Sequence, residues 1–84
     1  MEDPGIAFGV VLRSLRKRAG LSQEQLALEA GVERNFVSLI ERGVNQPTIR
    51  VIFKLATALR VRPSEILSAV EQHLAAPAAN NLSR

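Results

Sequence analysis

The sequence predicts a compact all-α domain of five helices, and three observations lead there. Apolar residues recur at the three- and four-residue spacing of a helix along five stretches of the chain. Between those stretches stand residues that stop or start helices: Gly20, Gly31, Gly43, Pro47 and Pro63. The third observation is size: 84 residues make one domain, near the lower limit at which a single core supports folding, so pairing with a second copy would add stability.

The first helix opens at Asp3 and Pro4, which suit the N-cap and first turn, and ends at Gly20. Gly5 and Gly9 are expected to weaken its start, so that the first turn frays. Phe8, Val11, Leu12, Leu15 and Ala19 form its inward stripe, with Arg13, Lys17 and Arg18 outside. Taken alone, such a basic amphipathic segment would also suit an anionic membrane or a calmodulin-like groove. Its place within the larger pattern below argues against both.

The second helix starts from Ser22 as N-cap, with Gln25 three residues on, so that hydroxyl and amide each satisfy a backbone N–H. Leu26, Ala27 and Ala30 face inward. Gly31 then falls where the chain must reverse, a position that favours positive φ, and Val32 packs back. The third helix runs from about Glu33 to Arg42 and stops at Gly43, with Asn45 and Pro47 preventing its continuation. Spacing places Val37 and Ile40 on one side, flanked by Phe36 and Glu41, and Arg34, Asn35, Ser38, Leu39 and Arg42 on the other.

Thr48 caps the fourth helix, whose inner stripe is Ile49, Ile52, Leu55, Ala56 and Leu59, with Arg50 and Lys54 outside and Val61 over its end. Pro63 or Ser64 opens the fifth, where Ile66, Leu67, Val70 and Leu74 share a side. So small a domain has difficulty burying that whole stripe. Phe53, Ile66, Leu67, Val70 and Leu74 are therefore expected at a two-fold interface, the other reading being that they close an intramolecular core. His73 has no second His or Cys at metal-ligand spacing and is expected to be solvated. Pro77 is expected to end the helix, which divides the chain into a domain over 1–75 and a mobile tail over 76–84.

Two short helices joined by a tight glycine turn, the second with one face packed and one free, make a helix-turn-helix, which presents a helix to the DNA major groove. The free face carries suitable chemistry. Arg grips guanine O6 and N7 with two bonds, Asn does the same for adenine, Ser serves either, and Leu39 can touch a thymine methyl. By themselves Arg34, Asn35 and Ser38 would equally suit a solvated surface helix; the motif around them favours base reading.

The stretches LRSLRKRAGLSQEQLA (12–27), AGVERNFVSLIERG (30–43) and PTIRVIFKLATALRVRPSEIL (47–67) resemble the Cro/repressor-type, or XRE, helix-turn-helix family. Within it the chain is most similar to controller proteins of restriction-modification systems. The resemblance implies a compact five-helix Cro/repressor-like domain and a DNA-binding transcriptional regulator. It also implies a partly buried ion pair between Arg16 and Glu41, and a Gln23 that contacts a DNA phosphate and braces the recognition helix. It supports phosphate contacts from Arg42, Asn45 and Gln46 more loosely, since that loop varies within the family.

Composition is consistent with this. The net charge is +3, and between Arg13 and Arg62 ten Lys or Arg face four Glu, a local charge of +6 that would attract phosphates. With no Trp or Tyr and three Phe, there is little to stack on unpaired bases, which favours duplex DNA over RNA. The absence of Cys rules out disulfides and thiolate zinc sites, and no apolar run approaches the roughly 20 residues that span a bilayer. The expected protein is cytoplasmic, with no cofactor, no metal, no membrane partner and no small-molecule ligand, its activity set by its own concentration. One isolated His and no phosphate loop argue against an enzyme. The expected function is a homodimer on a near-palindromic double-stranded operator; the alternative is an antitoxin or adaptor whose helix-turn-helix binds a partner protein.

Overall fold

The computed structural model describes residues 2–82, with side chains for residues 2–76. Five helices occupy them: α1 (Pro4–Arg18), α2 (Gln23–Ala30), α3 (Arg34–Glu41), α4 (Ile49–Leu59) and α5 (Pro63–Leu82). α1 packs against α3 and α5, while α2 packs against α3 and α4. Each helix contributes at least one fully buried side chain to a single core: Leu12, Leu26, Val37 with Ile40, Leu55 and Ile66. Burying each of these contributes about 1.5–3 kcal/mol, which is how elements this short are held together.

Local chemistry sets the helix ends. Asp3 Oδ1 accepts from the Gly5 and Ile6 N–H groups at 2.6 and 3.3 Å, and α1 begins at Pro4. Ser22 and Gln25 form the reciprocal pair at the start of α2, with bonds of 3.0 and 2.8 Å. At its end Gly31 takes φ +73°, and the N–H groups of Gly31 and Val32 return to the carbonyls of Leu28 and Ala27. Glu33 and Arg42, expected within the third helix, are its caps. Thr48 Oγ1 accepts from the Val51 N–H at 3.2 Å, and Glu65 Oε1 accepts from the Arg62 N–H at 2.6 Å ahead of α5.

Several expectations need correction. Gly5 and Gly9 do not loosen α1: both are buried, and each lies where another segment crosses the helix. Ala19 and Ile49, at the ends of their helices, are exposed, whereas Ala7 and Ala58 are buried. Ile66 and Val70, four residues apart on α5, turn inward and belong to the monomer core, so they are unavailable to an interface. His73 is not simply solvated; its Nε2 lies 2.9 Å from Glu2 Oε1. α5 also continues past Pro77 to Leu82, so Pro77 does not end the helix, although an interior proline gives up one N–H and crowds the carbonyl four residues earlier. Of the tail expected over 76–84, residues 83–84 lie outside the described residues, as do the side chains from 77 onward.

Arg60 closes α4 in the left-handed conformation, with φ +61° and its N–H returned to the Thr57 carbonyl at 3.1 Å. A Cβ in that conformation costs about 1–2 kcal/mol, and glycine recovers it less about 0.4–1 kcal/mol of added unfolded-state entropy. Arg60→Gly should therefore raise the unfolding free energy by about 0.5–1 kcal/mol, visible as a higher urea midpoint with an unchanged slope.

Candidate nucleic-acid interface

α3 divides its residues cleanly. Val37 and Ile40 are wholly buried, Arg34 and Asn35 are exposed, and Ser38 and Leu39 are half-exposed beside them. The helix has eight residues, and its N-cap Glu33 makes no side-chain capping bond. A helix of that length does not persist alone in water, so its position is set by what grips it.

The grip is at Glu41, the last residue of α3. Arg16 of α1 donates to it twice, Nε to Oε2 at 2.6 Å and Nη2 to Oε1 at 3.0 Å. Gln23, the first residue of α2, donates its Nε2 to Oε1 at 3.0 Å. The third nitrogen of Arg16, Nη1, donates to the Leu21 carbonyl at 2.9 Å in the turn between α1 and α2. Arg16 and Glu41 retain only 8% and 9% of their surface in solvent, and among the described residues no buried side-chain polar atom lacks a partner. The hydrogen bond to Glu41 raises the Arg16 guanidinium pKa above its ordinary value; burial opposes this and the carboxylate charge adds to it.

Beyond α3 the chain is tied to the helix end. The Gly43 N–H donates to the Ile40 carbonyl at 3.0 Å, and Val44 and Asn45 donate to the Leu39 carbonyl at 2.9 and 3.3 Å. Arg42 and Gln46 are exposed and Asn45 is half-buried. Gln23 has one N–H engaged by Glu41, which leaves its second donor at the α2 N-terminus, where the helix dipole favours an anion. Arg34, Asn35 and Ser38 thus share one surface of α3, with Gln23 at the start of the neighbouring helix.

α4 and α5 also leave apolar side chains in solvent. Ile49, Phe53 and Leu67 are 68%, 57% and 45% exposed, and Leu74 is half-buried. Periodicity points Ile49 inward, but it is exposed, four residues before the exposed Phe53 on α4. Beside Leu67 is a groove of about 180 Å³, lined also by Phe8, Pro47, Ile52 and Val70. Among the described residues no cluster of His, Asp or Glu is arranged to hold a metal ion, and no helix is long and apolar enough to cross a membrane.

Removing the Glu41 carboxylate would strand the Arg16 guanidinium in the interior. Glu41→Ala should cost about 3–5 kcal/mol, a large share of the 5–15 kcal/mol that holds a typical domain together. A urea melt followed by circular dichroism would show this. Arg42→Ala, exposed on the same helix end, should fall within about 0.5 kcal/mol of the parent.

The family model "HTH_3: Helix-turn-helix" matches residues 12–66. The HTH-type transcriptional regulator SlrR of Bacillus subtilis is 40% identical over 63 residues, 74% of this chain, and the chain spans 41% of that relative's length. Control protein C.MunI of Mycoplasma sp is 34% identical over 73 residues, which is 86% of this chain and 99% of that protein. The crystal structure of the restriction-modification controller protein C.AhdI from Aeromonas hydrophila superposes with a TM-score of 0.71 at 46% identity, covering 73% of this chain and 92% of that one. Such relatives are transcriptional regulators and controller proteins rather than enzymes. The matched span takes in α2, α3 and α4 whole, together with Arg16, and the chain belongs to the helix-turn-helix family of the Cro/repressor (XRE) type.

Proposed function

We propose that this regulator binds double-stranded DNA sequence-specifically as a homodimer on a near-palindromic operator, in the manner of a restriction-modification controller. One observation carries the proposal: α3 is anchored through Val37 and Ile40 while Arg34 and Asn35 stand free on the opposite face. In the major groove Arg34 would take guanine and Asn35 adenine, with Ser38 and Leu39 meeting the neighbouring bases at closer range. Gln23, Arg42, Asn45 and Gln46 would hold the phosphates on either side, fixing register without reading sequence. The similarity to C.MunI and C.AhdI, both named as controllers, supports the narrower assignment.

Phe53 and Leu67, with Ile49 and Leu74, are proposed to form the two-fold contact, since α4 and α5 leave the large apolar side chains of Ile49, Phe53 and Leu67 in solvent and exposed apolar surface marks association sites. A two-fold axis there would pair two α3 helices on half-sites about 34–36 Å apart, one duplex turn, or a multiple of it. Ile66 and Val70 would support this contact only from beneath, as core.

Selection from a random duplex pool tests the proposal. The protein should enrich a near-palindrome with salt-sensitive affinity, and Arg34→Ala should relax one base position in each half-site at a cost of about 1–3 kcal/mol. A selected profile unchanged by Arg34→Ala would remove that residue from base reading. A chain that selects no duplex at all would favour the adaptor role. Phe53→Glu should shift sedimentation from dimer to monomer and weaken operator binding; a variant still dimeric would place the contact elsewhere.

A further inference from the structure

We infer that Gly9 is a positioning residue for base reading: by carrying no side chain it sets the angle at which α1 presents the recognition helix α3. The inference rests on the DNA-reading function proposed above.

Gly9 lies in the interior of α1, where alanine is the better helix former, so local propensity gives no reason for a glycine there. The tertiary contact does. A Cβ built on Gly9 would overlap the carbonyl oxygen of Ile40 and stand 2.7 Å from that of Glu41. Both are backbone atoms of the last turn of α3, which cannot rotate aside as a side chain would. The Ile40 carbonyl is also committed to the Gly43 N–H at 3.0 Å, which ties it to the following loop.

Gly9 and Arg16 are seven residues apart, two turns along the same face of α1 and about 10 Å apart on its axis. Both act on Glu41. Gly9 admits its backbone, and Arg16 holds its carboxylate through bonds of 2.6 and 3.0 Å. These two attachments fix the C-terminal end of α3, Val37 and Ile40 hold the helix in the core, and together they set its direction. A methyl group at Gly9 would push the end of α3 outward while Arg16 still holds the carboxylate, and the helix would tilt. Bidentate base contacts tolerate only a few tenths of an ångström, so a tilt misaligns Arg34 and Asn35 although neither is altered.

Gly5 supplies the comparison within the same helix. A Cβ there would meet Gln46 Cγ at 2.9 Å, Asp3 Oδ1 at 3.0 Å and Gln46 Cδ at 3.1 Å, all side-chain atoms that can move. Gly5→Ala therefore disturbs no backbone of α3.

The test uses the full chain carrying Arg60→Gly for added stability, with Gly9→Ala and Gly5→Ala made separately. Cooperative urea unfolding first establishes that each variant is folded at the working temperature. The measured quantity is the ratio of affinity for the selected operator to affinity for random duplex at fixed salt, which a reduced folded fraction leaves unchanged. Gly9→Ala should lower that ratio about tenfold, roughly the loss of one base contact. Gly5→Ala should keep it within about twofold. A folded Gly9→Ala protein with the parental ratio would overturn the inference. So would a Gly9→Ala chain that fails to fold in this background, since Gly9 would then be a requirement of folding rather than a setting of the angle. If the parent itself shows no operator preference, the function falls and takes this inference with it; a parent that prefers its operator beside a Gly9→Ala protein with the same ratio removes only the inference about Gly9.

Discussion

The geometry of this domain depends on a carboxylate withdrawn from water. An ionised side chain in a protein interior costs several kcal/mol unless its oxygens are bonded and its charge is matched. Arg16 of α1 meets both conditions for Glu41, engaging each oxygen and matching its charge, and Gln23 at the start of α2 adds a second bond to Oε1. Arg16 in turn needs the Leu21 carbonyl for its remaining nitrogen. Three helices and one turn are therefore fixed by a single set of directional bonds. An apolar cluster of equal volume could be as stable or more so, but it would tolerate sliding that these bonds do not.

That constraint matters most for α3, which has little holding it from within. α2 carries a reciprocal cap at its start, whereas α3 is equally short and lacks a side-chain cap. Its helicity comes from Val37 and Ile40 in the core and from Glu41 at its end. The exposed surface of α3 therefore exists only while the whole domain is folded. Local melting of this helix would release a buried guanidinium, so it is not a low-energy event.

Much of this was legible in the sequence, because it is encoded at short range. The Ser22 and Gln25 pair, the reversal at Gly31 and the inward spacing of Val37 and Ile40 need only neighbours within one turn. The ion pair between residues 16 and 41 was legible only through family resemblance, since spacing alone does not bring two helices together. What stayed hidden depends on distant parts of the chain. A glycine in a helix reads as a weakness until the carbonyls of Ile40 and Glu41 are seen against it. Glu2 and His73 meet across 71 positions. Helical periodicity separates faces only coarsely, and it does not tell the exposed Leu67 from the buried Ile66 beside it. Ile49 lies close in angle to the inward Ala56 yet shares the exposed side of α4 with Phe53, a difference too small for periodicity to resolve.

The division of α3 into an anchored face and a free one has an evolutionary consequence. Arg34 and Asn35 contribute nothing to the core or to the Glu41 cluster, so exchanging them alters stability by no more than surface substitutions usually do, about 0.5 kcal/mol. Mutation can explore new side chains at these positions without risking the loss of the folded protein. Duplicated copies of such a chain are free to diverge in the sites they occupy while inheriting an unchanged scaffold.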